Sequence, residues 1–405
     1  MKLSAFLITI FVGMLANYAL AITSTEMLPK GINSPSMRFG YIQGIDQKYT
    51  EDGELMKLGD YKSIVFDAAT LAQFNSDAKK LVDALNKFGG YGLGDSFNLG
   101  VLRVGTEPTV NYFAPVFARG ITEKWTLGVG IPVIGYKNKI SLAQQFSNID
   151  YYRSQFSGIN PELDSALNTN LAQATQDTLA GKGYKRLESK DESFIGDIQL
   201  VSMHRLYSDM DQALVYQAQV ALPTGPQYDA DDLAALNIFG RSSINNSLIY
   251  SRKISPAFTV VPYLSYLLNI PDRVDQRVPQ NENDTLPDLA SKETVDRAVG
   301  NTATVGSALY YAVNDGLAFG TAYEYANKAR DSYSGNRTGV YRKLSDFTAM
   351  QSHKVKAEVS YSTVKAYFKK TFLLPMVVSF EISDVIAGVN VERQLAQELN
   401  LMLFF

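Results

Sequence analysis

Alternation of apolar and polar side chains with a period of two is the feature that most constrains the fold of this chain. In residues 353–362, valine, alanine and tyrosine side chains take one face, and Lys354, Lys356 and Glu358 take the other. Successive side chains of a β-strand point to opposite faces, so such a segment predicts a strand with one apolar and one polar face. The same pattern recurs along the chain and predicts an all-β fold.

Connections of alternating length join these segments. Short connections with turn-forming residues lie near 120–123, 208–211, 254–256 and 314–316, and long ones lie near 46–104, 138–192, 223–240, 271–299 and 329–348. This rhythm predicts a transmembrane antiparallel up-and-down β-barrel. We expect about twelve strands: 36–46, 105–118, 124–136, 193–206, 212–222, 242–253, 257–270, 301–313, 316–328, 350–363, 372–385 and 395–405. A further strand within 97–104 would raise the number to fourteen.

The first residues are typical of a secretory signal. Lys2 precedes an apolar stretch from Leu3 to Leu15, and Ala19 and Ala21 form a small-x-small cleavage site. The apolar stretch is shorter than the roughly 20 residues that a membrane-spanning helix needs. We therefore expect a signal peptide at 1–21 and one barrel domain at 22–405.

The last residues form an apolar stripe on one face of a strand, which ends in a terminal phenylalanine. The stripe resembles the C-terminal sorting strand of bacterial outer-membrane barrels, although an ordinary buried strand would show the same alternation. The resemblance implies a location in the cell outer membrane, contact with its lipid, and recognition by the barrel-assembly machinery. The residues that carry the signal are Leu399, Leu401, Leu403 and Phe405.

Composition excludes several classes of function. The chain has no cysteine, which excludes disulfides, an N-terminal lipid anchor on cysteine and thiolate metal sites. Its two histidines, His204 and His353, are far apart in sequence. The net charge of −3 argues against a nucleic-acid partner. We predict neither a metal nor a cofactor.

Charged residues on the polar faces of the predicted strands are the candidates for a solute path. Charge on the lipid face costs roughly 2–4 kcal/mol at the membrane midplane, so these side chains are expected to point inward. They are Arg38, Asp197, Arg205, Glu324, Lys328, Lys354, Lys356, Glu358, Glu381 and Glu398. They could form a selective constriction. For Lys354, Lys356, Glu358 and Glu381 we favour paired charges that fill a narrow barrel.

Two long loops have helical character. In Val65–Phe88 apolar residues recur at intervals of three and four, and Pro161–Ala180 begins with residues typical of a helix start. The loops could fold into or over the barrel as a gate, or decorate its outside. The gate candidates are Leu71, Phe74, Leu81 and Leu85.

Enzymatic alternatives find little support. Residues 239–246 echo the Asn-Gly-Arg-Ser element of outer-membrane phospholipases, but the histidine that should precede it is missing. A serine nucleophile needs an adjacent base. No residues in the sequence stand out as the carboxylate pair and the Asp-His dyad that an omptin-like protease needs. We predict no catalytic residue.

Gly196-Asp197-Ile198 begins a predicted strand, Arg205-Leu206-Tyr207 ends it, and the next strand finishes in Ala221-Leu222-Pro223-Thr224-Gly225. This segment resembles the outer-membrane family named for the MetA pathway of phenol degradation. The resemblance implies a barrel that passes small aromatic or hydrophobic compounds. The long-chain fatty-acid and toluene transporters are structural cousins, but their N-terminal hatch with an Asn-Pro-Ala element is absent here.

We therefore expect an outer-membrane channel for small solutes, aromatic or hydrophobic ones among them. The main alternative is a structural or surface-interaction barrel with a closed lumen. A phospholipase-like enzyme is the least favoured.

Overall fold

A computed structural model describes residues 24–58, 65–69, 76–89, 92–158, 161, 164, 167–168 and 170–405. The predicted signal peptide at 1–21 lies outside the described residues, as do the gate candidates Leu71 and Phe74. None of the helices in these ranges combines the length and apolar character needed to cross a membrane.

Strands make up most of the described chain. The first ten are β1 Asn33–Gln43, β2 Gln47–Tyr49, β3 Leu55–Lys57, β4 Val65–Asp67, β5 Asn98–Thr122, β6 Trp125–Gly130, β7 Val133–Gln145, β8 Lys190–Ile195, β9 Ile198–Ser208 and β10 Gln212–Leu222. The others are β11 Ser243–Lys253, β12 Phe258–Asn269, β13 Asp272–Arg277, β14 Lys292–Ala298, β15 Thr302–Ala312, β16 Leu317–Lys328, β17 Ser332–Ser334, β18 Met350–Ser362, β19 Met376–Val389, β20 Val391–Glu392 and β21 Leu395–Leu403.

The large sheet closes into a barrel. Its order runs β1-β21-β19-β18-β16-β15-β12-β11-β10-β9-β6-β5, and β5 pairs with β1 to complete the circle. Neighbouring strands are antiparallel, which confirms the predicted twelve-stranded barrel. The fourteen-strand alternative is wrong, because residues 98–104 extend β5 instead of forming a separate strand.

Two wall positions are interrupted where the sequence analysis expected continuous strands. Ile131 and Pro132 separate β6 from β7, and Gly196 and Asp197 separate β8 from β9. Proline has no backbone N–H to donate to the ladder, which explains the break between β6 and β7. The Gly196 N–H donates to the Pro132 carbonyl oxygen at 2.8 Å and keeps the two wall positions joined.

The two faces of the barrel differ in character. The outer face exposes large apolar side chains, among them Phe319, Leu264 and Leu399. The inner face carries small, polar and charged side chains. Both described chain ends lie at the end with the short connections, which we call the turn end; the opposite end is the loop end.

Long connections at the loop end contain helices and two small sheets. Helices α1 Ser76–Gly89, α2 Ile149–Phe156 and α3 Leu171–Gly181 lie there, with a small sheet β13-β14-β17 and another, β20-β2-β3. A fourth helix, α4 Val364–Phe368, belongs to the connection from β18 to β19 at the turn end.

The helix expected over Val65–Phe88 is wrong at its start. Val65–Asp67 form β4, which pairs with β5, Ala68 and Ala69 are helical, and helix α1 spans Ser76–Gly89. Valine and phenylalanine suit a strand, and backbone pairing with the long β5 decides between the two structures. Leu85 of α1 is fully buried and packs with Phe97 and Tyr152, so it belongs to the core of the loops.

Candidate functional site

One row of inward-facing residues is aligned across seven neighbouring strands. From β5 to β15 the row reads Tyr112, Gly40, Glu398, Glu381, Glu358, Gly320 and Tyr310. We call Glu398, Glu381 and Glu358 the glutamate row. Strand pairing sets these three carboxylates side by side on β21, β19 and β18. Like charges opposite one another in a sheet repel, so the row requires compensating positive charge.

Three tyrosine–glycine–glutamate units organise this wall, each spread over three adjacent strands. In every unit the tyrosine ring lies over the glycine of the middle strand, with the glutamate on the far side. A Cβ atom at Gly320, for example, would lie 2.9 Å from Tyr310 Cε1, so the middle position requires glycine. Units one, two and three are Tyr112–Gly40–Glu398, Tyr263–Gly306–Glu324 and Tyr310–Gly320–Glu358.

Unit one is completed by an arginine. The Tyr112 hydroxyl donates to Glu398 Oε2, and Arg38 Nη1 lies 3.8 Å from Glu398 Oε1. Arg38 is only 2% exposed. A buried guanidinium is tolerated when a carboxylate pairs with it, and the Tyr112 hydroxyl adds a hydrogen bond to that carboxylate.

Unit two is completed by a lysine. The Tyr263 hydroxyl donates to Glu324 Oε2 at 2.8 Å, and Lys356 Nζ lies 3.5 Å from the same oxygen. Lys354 pairs in register with Glu324 on the adjacent strand. The pairing therefore differs from the one favoured by the sequence, because Lys356 joins Glu324 and not Glu358 or Glu381.

Unit three has no basic partner. Glu358 is 9% exposed, forms no ion pair with any described residue, and its Oε2 atom is buried without a hydrogen-bond partner. Its neighbours in register are Glu381 on one side and Gly320 on the other. The strand register places Glu381 beside Glu358 at this point and leaves the Glu358 carboxylate without an ion-pair partner among the described residues.

The opposite wall is largely neutral. Glutamine and serine side chains line β9 to β11, and Gln219 Nε2 donates to Gln199 Oε1 at 2.9 Å. Arg205 adds a charge at the turn end, where its Nη1 atom is 3.5 Å from the Glu123 carbonyl oxygen. The lumen thus has one charged wall and one wall of polar, uncharged groups.

Residues 223–242 fold back into the loop end of the barrel, and we call them the plug. Leu236, Ile238 and Phe239 are buried in one cluster with Ile42 of β1 and Tyr136 of β7. The cluster explains why this long connection, which contains no helix or strand, keeps a fixed position. Burial of its apolar side chains away from water stabilises it there.

Asp197, in the interruption between β8 and β9, holds both ends of the plug. One carboxylate oxygen accepts from the Gly225 N–H at 2.9 Å and from the Gly240 N–H at 3.0 Å. Thr224 Oγ1 donates to the Gly196 carbonyl oxygen at 3.0 Å. Asp197 therefore anchors the plug instead of lining an open path.

A buried arginine ties the other loop-end elements to the plug. Arg277 Nη2 lies 2.8 Å from Asp231 Oδ1, and its guanidinium stacks over the Tyr184 ring at 3.7 Å. Lys292 Nζ lies 2.8 Å from Asp231 Oδ2. Burial opposes ionisation of Asp231, but Lys292 and Arg277 outweigh it and hold the pKa of that carboxyl below its usual range. We call Arg277, Asp231, Lys292 and Tyr184 the cap network.

Residues 24–32 cross the turn end of the lumen, and we call them the strap. Gly31 and Ile32 pair with Gly120 of β5, the Leu28 N–H donates to Thr126 Oγ1 at 3.2 Å, and the Thr25 and Ser251 hydroxyl oxygens are 2.6 Å apart. Since β11 lies across the barrel from β1, the strap spans the opening.

The remaining charged candidate lies away from the row. Lys328 is buried at the loop end, where Nζ donates to Asp331 and to the Thr348 carbonyl oxygen. It fixes the chain that follows β16. Of the predicted gate residues, Leu85 lies in the loop core, and the structure does not describe the side chain of Leu81.

The tyrosines of the units and the residues of the plug were not predicted from the sequence. Tyr112, Tyr263 and Tyr310 look like ordinary strand aromatics, and only the inward glycines beside them give a signal. A glycine on the polar face of a strand marks a close approach by another group. Which group approaches depends on the register, which the sequence does not show.

The serine and histidine residues of the enzymatic alternatives are dispersed. His204 faces outward, stacks on Trp125 and lies 3.2 Å from Ser202 Oγ, while His353 is 2.6 Å from the Tyr323 hydroxyl on another part of the wall. No carboxylate or amide orients His204 among its described contacts. Within the described ranges, no group of three or more His, Asp or Glu side chains is arranged to hold a metal ion.

Comparison with known proteins shows the fold. No family model and no curated protein matches the chain. The crystal structure of the COG4313 outer-membrane channel from Pseudomonas putida F1 is similar, with a TM-score of 0.55, 11% identity, and coverage of 95% of this chain and 100% of that one. The toluene transporter TbuX from Ralstonia pickettii gives a TM-score of 0.37, 11% identity and coverage of 93% and 90%. The first of these likenesses shows that the chain has the fold of an outer-membrane β-barrel.

Proposed function

We propose that this protein is an outer-membrane channel that passes small solutes, including amphipathic and aromatic ones. The observation that carries the proposal is the lumen: a closed barrel whose inner face carries many charged and polar groups beside a small apolar cluster, where a soluble barrel of this size would have a continuous apolar core. The COG4313 structure of the same fold is an outer-membrane channel, which supports the proposal.

The outer face supports the membrane location. Side chains such as Leu264 (56% exposed) and Val305 (52% exposed) would be open to water in a soluble protein. A continuous apolar surface of this kind is expected only where lipid covers it. The turn end then faces the periplasm, and we further propose that β21, with Leu399 to Phe405, is the strand that the assembly machinery recognises.

The plug and the strap favour one alternative. Both lie inside the barrel, and the plug fills part of its loop end with an apolar cluster. A structural or surface-interaction barrel with a closed lumen would need such elements. In a channel they would narrow the path and restrict it to small solutes.

Single-channel recording in planar bilayers separates these functions. The refolded protein, shown to be folded by heat-dependent gel mobility, is expected to give steady ion conductance. Folded protein that stays silent and transports no small aromatic solute into vesicles would contradict the channel and favour the closed barrel.

A further inference from the structure

We propose that the lumen binds the cationic group of its solute at Glu358, and that the solute is an ammonium or guanidinium joined to a small apolar body. This proposal rests on the proposed channel function and names the class of solute. It follows from a comparison of the three tyrosine–glycine–glutamate units with one another.

Units one and two show what completes such a unit. In unit one Arg38 Nη1 lies 3.8 Å from the glutamate, and in unit two Lys356 Nζ lies 3.5 Å from it. Unit three has the same three residue types on the same pattern of strands and no cation. The missing component is a positively charged nitrogen, which a solute can supply.

Because Glu358 is buried, the absence of a positively charged partner is energetically unfavourable. A carboxylate that is 9% exposed, with one oxygen buried and unpartnered, has lost water without gaining a hydrogen bond. The carboxylates of Glu381 and Glu398 continue the row and add repulsion. Lys356, two residues along the same strand, is turned to Glu324. A cation at Glu358 would relieve both costs.

The surroundings of Glu358 fit an organic cation. The ideal Cβ position of Gly320 is 2.9 Å from Tyr310 Cε1 and 3.6 Å from Glu358 Cβ, so the ring and the glutamate lie beside the same glycine. An aromatic ring attracts a cation through its negative face. Tyr310 packs in turn against the inward apolar cluster that contains Ile249, Val261 and Ala308. Carboxylate, ring and apolar patch follow one another along the wall.

A metal ion suits the site less well. Metal ions in proteins require several oxygen or nitrogen ligands that converge. The described residues contain no group of three or more acidic or histidine side chains arranged for a metal, despite the three adjacent glutamates. An ammonium group needs one carboxylate and a ring. The strap adds the exposed carboxylate of Glu26, which interacts electrostatically with Tyr310.

Isothermal titration of the detergent-solubilised, folded protein tests the site without requiring conduction. The probes are phenethylammonium and its neutral counterpart phenethyl alcohol. We expect saturable binding of the ammonium, with the alcohol much weaker, and about tenfold weaker ammonium binding in Glu358→Gln, the factor typical of one lost charge-assisted contact. The matched control is Glu123→Gln, in an exposed turn, which should bind like the original protein.

Several results would overturn the site. They are the absence of saturable ammonium binding, equal binding of the alcohol, and equal ammonium affinity in Glu358→Gln. Should Glu358→Gln not fold, Tyr310→Leu provides the second variant, since it removes the ring and is expected to weaken binding several-fold, whereas unchanged affinity would contradict the proposal.

Bilayer recordings test the binding site and the channel function separately. In conducting protein, phenethylammonium should block the current in a dose-dependent way, and Glu358→Gln should lower the cation-to-anion permeability ratio and the block. Conduction without block or change of ratio would refute the site and leave the channel. Saturable binding that depends on Glu358, in a folded protein that neither conducts ions nor transports small aromatic solutes into vesicles, would support the site and refute the channel.

Discussion

Replacing Gly40 with alanine tests whether the tyrosine–glycine–glutamate units hold the barrel wall together. A Cβ atom at this position would overlap the Tyr112 ring, which is 7% exposed and has little room to move. The ring would have to leave the glycine. Its hydroxyl would then lose Glu398, and Arg38 would lose part of its compensation.

The expected cost follows from these contacts. Overpacking a well-filled interior costs about 1–3 kcal/mol. A hydrogen bond to a charged group contributes about 1.5–3 kcal/mol. We therefore expect Gly40→Ala to lower the free energy of unfolding by about 3–5 kcal/mol. Tyr112→Phe keeps the ring and should lower the free energy of unfolding only by the contribution of the hydrogen bond.

Equilibrium unfolding in denaturant, with the protein folded into lipid vesicles, measures this loss. The single tryptophan, Trp125, provides the fluorescence signal. Gly128→Ala is the matched control, because its nearest neighbour, the Ala118 Cβ atom, would be 3.3 Å away. In a Tyr112→Ala background Gly40→Ala should cost less than about 1 kcal/mol. Equal losses for Gly40→Ala and Gly128→Ala, or full additivity with Tyr112→Ala, would refute the reasoning.

The elements at the two ends of the lumen carry three further predictions. Deletion of residues 24–31 should raise single-channel conductance, because the strap spans the turn end; unchanged conductance would show that it does not limit the path. Asp197→Ala should release the plug and raise conductance, whereas Asp197→Asn keeps an acceptor oxygen and should stay near the original value. Since the pKa of Asp231 is lowered in the folded cap network, that network is stable above about pH 4 and weakens as the pH falls through the lowered value. Conductance should therefore rise below about pH 4, and a flat pH profile that matches Asp231→Asn would contradict the role of the network.

The barrel itself was predictable from the sequence because period-two alternation fixes the face of every strand residue. Residues such as Glu324, Glu381 and Glu398 could be placed on the inner face from this alone. Alternation says nothing about which residue lies opposite which on the next strand. The pairing of Lys356 with Glu324, and the isolation of Glu358, depend on register and could not be predicted.

The plug shows a second limit. Residues 223–242 have neither the period of a strand nor that of a helix, so the sequence indicates only a long loop. Their burial comes from tertiary contacts of Leu236, Ile238 and Phe239 with wall residues distant in the chain. Pro132, which interrupts the wall between β6 and β7, could have been read as a break, but the role of Asp197, in the neighbouring break, as the anchor of the plug required the structure.

In the proposed channel, the plug and the strap limit where a solute can pass. The plug packs its apolar cluster onto Ile42 of β1 and Tyr136 of β7, above unit one, and Asp197 fixes it there. Unit three lies several strands away, with a separate apolar cluster of its own. The apolar cluster of the plug therefore does not include the wall around unit three, on β15, β16 and β18. On β15, which runs from the loop end to the turn end, Gly306 of unit two precedes Tyr310 of unit three, so a solute that enters at the loop end meets Glu324 with its lysine before it reaches Glu358.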